Sequence, residues 1–360
     1  MRTGTANLPL HGGRAPAWLF SRMRLLAREV ACSIVGSYGP NQLLERLADP
    51  FWFQAFGCVL GFDWHSSGLT TTTLAALKEG IRGLEGELGF FLCGGKGRAS
   101  RQTPLEIEEH AARHGLPQGA QGLIYASRMA AKVDSNAVQD GYQIYHHCFA
   151  FTREGRWAVI QQGMNEAARY ARRYHWLSDA LSSFVSDPHL AVCCDARGPA
   201  LNLVAREAGE NRAASVELAR QAPRTLEREL SRLRELDLPA RHQVLLADVR
   251  PENLHRILVR TYEAQAADYE QLLGLPGVGG RTLRALALLA EVIHARPASL
   301  RDPARFSFAH GGKDGHPYPV DREVYDRSIQ VLRQALDEAR VGRSERVEAL
   351  RRLARFQARS

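Results

Sequence analysis

The chain has 360 residues, 45% hydrophobic and 24% charged, with a formal net charge of +8 and a sequence pI near 9.4. That is enough chain for two buried cores, and the basic balance favours a polyanionic partner, nucleic acid first, without deciding the fold. Cys32, Cys58, Cys93, Cys148, Cys193 and Cys194 form no C-x-x-C pair, and neither an apolar leader nor a bilayer-length apolar run occurs; a reduced, cytoplasmic, nucleoid-associated protein without thiolate zinc is expected.

The first fourteen residues, rich in Gly, Pro and small polar types, read as extended. Helical periodicity then begins at Pro16 and runs through Met23, Leu26 and Val30, and a second helix near Pro40 carries Leu43, Leu44 and Leu47. Asp49-Pro50 breaks it, and the aromatic stretch Phe51 to Phe56 is assigned to the core. The loop Gly61 to Leu69, with Asp63, His65 and the threonines Thr70 to Thr73, reads as a polar pocket loop or as a cap on a helix spanning Leu74 to Glu79. These two readings are compatible. Phe90 to Cys93 is a short buried strand ended by a glycine-rich basic turn, Gly94 to Arg98, whose Lys96 and Arg98 suit a phosphate. The turn does not match G-x-x-x-x-G-K-[ST], so no nucleotide cofactor is expected.

Tyr142 to Phe151 and Trp157 to Gly163 read as a hairpin turned at Gly155, whose period of two puts His146 and His147 on opposite faces. In such a hairpin Asp134, Asp140 and one histidine, with Gln161 or Gln162, come near enough to bind a divalent cation. Hard oxygen donors with one imidazole suit Mg2+ or Mn2+, with Asp134, Asp140 and His147 as the ligand set and His146 the other candidate. Such an ion activates water for phosphodiester cleavage; the alternative is a plain solvent face. Lys132 is a candidate DNA contact. Gly163 to Arg173 reads as a helix after a strand and a glycine, carrying Arg169, and is similar to ParB-type nuclease and DNA-binding domains in which that frame holds a phosphate. Ser186 to Cys194 and Leu201 to Leu203 add short strands. Leu226, Leu230 and Leu233 mark a connecting helix, and the expected division is an α+β nuclease or DNA-contacting domain over 1–205, a helical connector over 206–250 and an all-α domain over 251–360.

In Leu275-Pro276-Gly277-Val278-Gly279-Gly280-Arg281-Thr282, positive φ at Gly277 and Gly279 would aim successive amides, at the start of a helix from Arg281 to His294, at one anion. Arg281, Thr282 and Arg284 stand beside it; a ligand-free helical turn is the alternative. Pro319-Val320-Asp321 opens a further helix, where Asp321 is either a cap or a catalytic carboxylate. The order, L-P-G-V-G and then P-V-D, resembles the helix-hairpin-helix DNA glycosylases over roughly the last quarter of the chain. The resemblance implies DNA as substrate and Asp321 in the active site, stabilising positive charge on the sugar or activating water as the N-glycosidic bond breaks. Arg281 stands where bifunctional members have a Schiff-base lysine, and a guanidinium is no amine nucleophile. Asp321 also lies forty positions beyond it, a longer spacing than in the commonest members. Lys313, in the Phe308 to His316 insertion, is either the replacement amine or a solvated phosphate contact. No cysteine follows Cys194, so the iron–sulfur cluster of some members is not expected.

Over nearly its whole length the chain also resembles a prokaryotic family of unknown function, number 763 among such families. It does so through R-T-G-x-A-x-L-P-L-H at Arg2 to His11, G-F-D-W-H-S-S-G at Gly61 to Gly68 and Q-Q-G-M-N at Gln161 to Asn165. This resemblance implies no mechanism. The expectation is a DNA repair enzyme acting on damaged or branched duplex or single-stranded segments, a metal-dependent nuclease with base-excision activity. A monofunctional glycosylase and a non-enzymatic DNA-binding protein are the alternatives; RNA is a second candidate polyanion, no membrane partner is expected, and a homo-oligomer is left open.

Overall fold

The computed structural model describes residues 15–62, 67–194, 197–198, 200–235, 251–304, 330, 332–339 and 342–357. Helices α1 (Ala17–Tyr38), α2 (Pro40–Ala48), α3 (Pro50–Leu60), α4 (Gly68–Gly80) and the short α5 (Glu85–Leu88) lead into β1 (Phe90–Lys96). Helices α6 (Arg98–Arg101), α7 (Thr103–His114) and α8 (Gln121–Lys132) follow, and α8 runs into a π-helical turn at Val133–Ala137. Then come β2 (Val138–Gln139), β3 (Gln143–Thr152), β4 (Trp157–Asn165), β5 (Tyr170–Leu177), β6 (Ala191–Cys193) and β7 (Leu201–Asn202). Helices α9 (Gly209–Ala219), α10 (Pro223–Glu235), α11 (Pro251–Ala264), α12 (Tyr269–Gly274), α13 (Gly280–His294) and α14 (Arg343–Gln357) complete the described elements together with helical residues 332–338. The fold is α+β: a five-stranded antiparallel sheet in the order β1-β3-β4-β5-β6 and a two-stranded sheet of β2 and β7.

The first helices form as their apolar spacing requires. Proline opens α2 and α3, where the missing N–H has no intrahelical partner to lose. Asp49 caps α3 by accepting from Phe51 N and Trp52 N, and Trp52, Phe53 and Phe56 are buried as core. The main sheet is covered on both faces. Phe90, Leu92, Cys148, Ala150, Ala158 and Ile160 pack with α1–α4, and Leu332, Leu336, Ala349 and Leu353 join that layer. Helix α14 thus packs on the body, where Arg352 Nε donates to Val59 O (2.8 Å).

On the other face Phe91, Phe149, Trp157 and Trp176 belong to an apolar cluster that runs through α8 to Leu226, Leu230 and Leu233 of α10 and Leu286 and Leu289 of α13. The described part of the expected connector therefore lies within one continuous core. Among the described residues no helix is long and apolar enough to cross a membrane.

Two local expectations are corrected. β1 does not end at Cys93 but continues to Lys96, because Gly94 and Gly95 take φ of +87° and +145° and let the strand run close against β3: a Cβ on Gly94 would lie 2.3 Å from His147 O. The segment 163–173 is not a helix. β4 ends at Asn165, an exposed turn carries Arg169 at φ 59°, and β5 begins at Tyr170. The strand–glycine–helix frame of ParB-type domains is not formed there, since Arg172 and Arg173 alternate in a strand and are buried on opposite faces.

Candidate functional site

Residues paired across antiparallel strands share a face, and here both faces carry polar rows. Gly95, His147, Gln161, Tyr174 and Val192 lie opposite one another on the α8 side. Gln161 Oε1 is 2.9 Å from His147 Nδ1, so that nitrogen bears the proton and Nε2 accepts from Ser127 Oγ, also at 2.9 Å. Gln161 Nε2 and Trp176 Nε1 donate to Asp134 Oδ2, while His189 Nε2 bonds Asp134 Oδ1. Burial drives the His147 pKa down, against the opposing pull of Gln161 and Asp134, so the ring is held neutral. A hydroxyl on an imidazole oriented by an amide is the order of a nucleophilic site. Ser127, however, is 2% exposed and Asp134 is 0% exposed, so the chain from Ser127 to His189 acts as a closed positioning network.

The π turn sets this network. It adds one residue to a helical turn, so that Asp134 faces the sheet while Asn136 faces α13. Asn136 Oδ1 accepts from Gly280 N (3.0 Å), Gln139 Nε2 donates to Gly280 O (2.8 Å) and Gln139 Oε1 accepts from Arg284 Nε (2.7 Å).

Asp140 belongs to a different group. It accepts from Tyr142 N (3.0 Å), Arg172 Nη1 (2.8 Å) and Tyr174 OH (2.6 Å), and Arg172 Nη2 donates to Asp302 Oδ2 (2.8 Å). The Arg172 guanidinium lies 4.4 Å over the Tyr142 ring. Burial raises the Asp140 pKa and Arg172 opposes it. Asp134, Asp140 and His147 are therefore not one ligand set: His147 reaches Asp134 through Gln161, and Asp140 is bonded to a guanidinium. Among the described residues no three His, Cys, Asp or Glu side chains gather to hold a metal ion, and these three do not fit Mg2+ or Mn2+.

The second row, on the α4 side, is Lys96, His146, Gln162, Arg173 and Cys193. His146 and His147 do fall on opposite faces. Arg173 donates to Gln54 Oε1 (3.0 Å), Thr70 Oγ1 (3.3 Å) and His175 Nε2 (2.9 Å) and stacks over Phe53. Gln162 Nε2 donates to Ser67 O (2.9 Å) and to Tyr145 OH. Neither ring nitrogen of His146 has a hydrogen-bond partner, nor does Gln162 Oε1 or Thr73 Oγ1, although all three side chains are buried. Each such atom costs about 1–3 kcal/mol. Burial, helped by His147, Lys96 and Lys78, pushes His146 down to about 3. Lys96 and Arg98 are exposed, with Lys96 Nζ 5.6 Å from the Tyr145 ring. The roles of Ser127, Trp176 and His189 went unread in the sequence, because their partners lie on other elements.

The L-P-G-V-G turn joins α12 to α13 as expected. Gly277 is exposed at φ +85°, but Gly279 is extended (φ −133°), which corrects the expectation of positive φ there. Leu283 N makes the first intrahelical bond, to Gly279 O, so the amides of Gly280, Arg281 and Thr282 precede the ladder, and that of Gly280 goes to Asn136. Arg281 is exposed; Val278 and Thr282 are buried and Arg284 is half-buried on Gln139. Lys132 is corrected from DNA contact to clamp, because its ammonium donates to the carbonyls of Leu273, Gly274 and Leu275 at 2.7, 2.9 and 2.7 Å. Arg260 donates to Pro276 O (2.6 Å). Asp63, His65, Lys313 and Asp321 lie outside the described residues.

No curated protein and no solved structure matches the chain. The comparisons bring in no helix-hairpin-helix glycosylase. One family, described as protein of unknown function (DUF763), matches residues 4–320. That span is most of the chain, and the protein belongs to the DUF763 family.

Proposed function

We propose that this protein is a DNA-processing enzyme that grips the sugar-phosphate backbone at the turn of residues 275–281. It then breaks bonds in damaged or branched DNA as a nuclease, a base-excision glycosylase or both. One observation carries the DNA half. The turn exposes Gly277 and Arg281 at the start of a fifteen-residue helix, while Lys132 and Arg260 cover the carbonyls of residues 273–276. The acceptor side of the turn is neutralised, and Gly277 and Arg281 are its exposed residues. A phosphate meets the amide of Arg281, the positive end of the α13 dipole and the Arg281 guanidinium. Support for the enzymatic half is the P-V-D resemblance at Asp321, together with a net charge of +8 suited to a polyanion.

Fluorescence anisotropy with a labelled duplex tests the grip. Arg281→Glu is expected to weaken binding at least about tenfold and to flatten the slope of log affinity against log salt by about 1. Unchanged affinity in a folded variant sinks the reading. Flap, splayed and base-lesion duplexes, incubated with Mg2+ or EDTA and then developed with hot alkali, test the chemistry. Metal-dependent cuts assign a nuclease, and breaks that need alkali and vanish in Asp321→Asn assign a glycosylase. Tight binding with neither product leaves a DNA-binding protein and overturns the enzymatic half.

A further inference from the structure

On the α4 side of the sheet, three buried side chains at the Lys96 end hold four polar atoms without a hydrogen-bond partner: Nδ1 and Nε2 of His146, Oε1 of Gln162 and Oγ1 of Thr73. Buried polar groups are nearly always bonded. Gln162 is the register partner of His146. Helix α4 crosses the sheet from Arg173 on β5, which donates to Thr70, to Gly94 on β1, which accepts from Lys78. Its middle turn, with Thr73, therefore passes over β4 and β3, where Gln162 and His146 stand.

The row reaches solvent at Lys96, which is exposed. Lys96 and Gln162 flank His146 in the register, and Tyr145 touches both, its ring 5.6 Å from Lys96 Nζ and its hydroxyl accepting from Gln162 Nε2. Tyr145 thus spans His146 on the side where Lys96 is exposed. The surrounding charges are Lys96, Arg173 and Lys78, the last shared with Glu106, so the balance is positive.

The unmet hydrogen-bonding capacity defines a ligand. A neutral imidazole offers one N–H and one bare nitrogen, a threonine hydroxyl donates or accepts, and Gln162 Oε1 accepts only. An oxyanion satisfies the donors and the Lys96 ammonium, while a hydroxyl on the same ligand satisfies the acceptors. We infer that the pocket of His146, Gln162 and Thr73, entered past Tyr145 with Lys96 at its mouth, binds a phosphomonoester, from a free nucleotide or the phosphorylated end of a nucleic-acid strand. The site stands whether or not the turn at 275–281 holds DNA.

The full chain, labelled with 15N-histidine and with His146 assigned through His146→Gln, is titrated with inorganic phosphate and then with a deoxynucleoside 5′-monophosphate. A last pair of titrations uses one oligonucleotide with a 5′-phosphate and with a 5′-hydroxyl. A saturable shift of the His146 ring nitrogens is expected with phosphate, weakened about tenfold by Lys96→Ala, a surface change that leaves the core intact. A response to the 5′-phosphorylated strand and not to its 5′-hydroxyl counterpart assigns the strand end; a response to the mononucleotide alone assigns free nucleotide. No shift in large phosphate excess, an equal shift with chloride at matched ionic strength, or indifference to Lys96→Ala overturns the site. If phosphate moves His146 while Arg281→Glu leaves DNA binding unchanged, the pocket survives and the DNA reading falls.

Discussion

Lys132→Met separates a structural clamp from a DNA contact. In the fold the ammonium sits between α8 and the end of α12 and donates to three carbonyls within 2.9 Å, acceptors that a helix C-terminus leaves without partners. Hydrogen bonds to a charged group contribute about 1.5–3 kcal/mol each. Two effects reduce the sum: burial, which lowers the Lys132 pKa and so opposes the charge, and partial exposure, which screens it. A net loss of about 2–3 kcal/mol on substitution follows. Methionine keeps the apolar stem in place, so the loss reports the ammonium. Urea unfolding measures it, and anisotropy against salt runs alongside. The midpoint is expected to fall while the salt slope of DNA binding stays at the parent value. A variant as stable as the parent, with the slope reduced by about 1, places Lys132 on a phosphate and refutes the clamp.

Changes at two further residues test the sheet. Asp134→Ala strands the donors of Gln161, Trp176 and His189 in a closed interior, at a cost of about 3–5 kcal/mol, and Asp134→Asn about 1–3 kcal/mol. Loss of activity with unaltered urea stability in either variant makes Asp134 catalytic instead. His146 predicts acid lability: its folded pKa, about 3, lies below the ordinary 6.5, so the unfolded chain takes the proton first as pH falls. The stabilisation is complete above about pH 6.5 and is lost toward about pH 3, with roughly 2 kcal/mol gone near pH 5. His146→Gln is expected to shrink the difference between urea midpoints at about pH 8 and about pH 5 by that amount; an unchanged difference means the ring is charged or open in the fold.

Much of the scaffold was legible because period and punctuation agreed. Leu43, Leu44 and Leu47 with the Asp49-Pro50 break, Gly155 between two β-branched and aromatic runs, and Leu226, Leu230 and Leu233 all fall where their spacing put them. The strand β5 was hidden because adjacent arginines after a strand and a glycine read as the basic face of a phosphate-binding helix. They are buried because each meets its partners from elsewhere: Asp140 and Asp302 for Arg172, Gln54 and Thr70 for Arg173. The candidate polar residues do not form the single group expected of them. Nothing in the linear order distinguishes a carboxylate that meets an amide from one that meets a guanidinium, and Asp134 and Asp140 divide on that point. Lys132 misled for the same reason, since its acceptors lie more than 140 positions away.

The sheet is divided along its length. Phe90, Phe151, Trp157 and Leu177 lie toward one end, and Lys96, His146, His147, Gln161, Gln162, Arg172 and Arg173 toward the other. Polar rows on both faces of the same strand ends run against the apolar rule for a covered sheet, a departure expected where function is concentrated. The π turn ties that end to the turn at 275–281: Asp134 bonds Gln161 and, two residues on, Asn136 bonds Gly280. A shift of the α13 start is thus transmitted through Ser135 to the carboxylate that orients Gln161 and, behind it, His147. Asn136→Ala removes the Gly280 bond and is expected to move the His147 ring nitrogens in a 15N spectrum. The ring of His110, tilted against Phe91 from α7 with centroids 5.3 Å apart, is expected to stay. If His147 does not move while Gly280 exchanges faster with solvent, the π turn is a hinge that isolates the two sites. The polar end of the sheet then works without reference to what the turn at 275–281 holds.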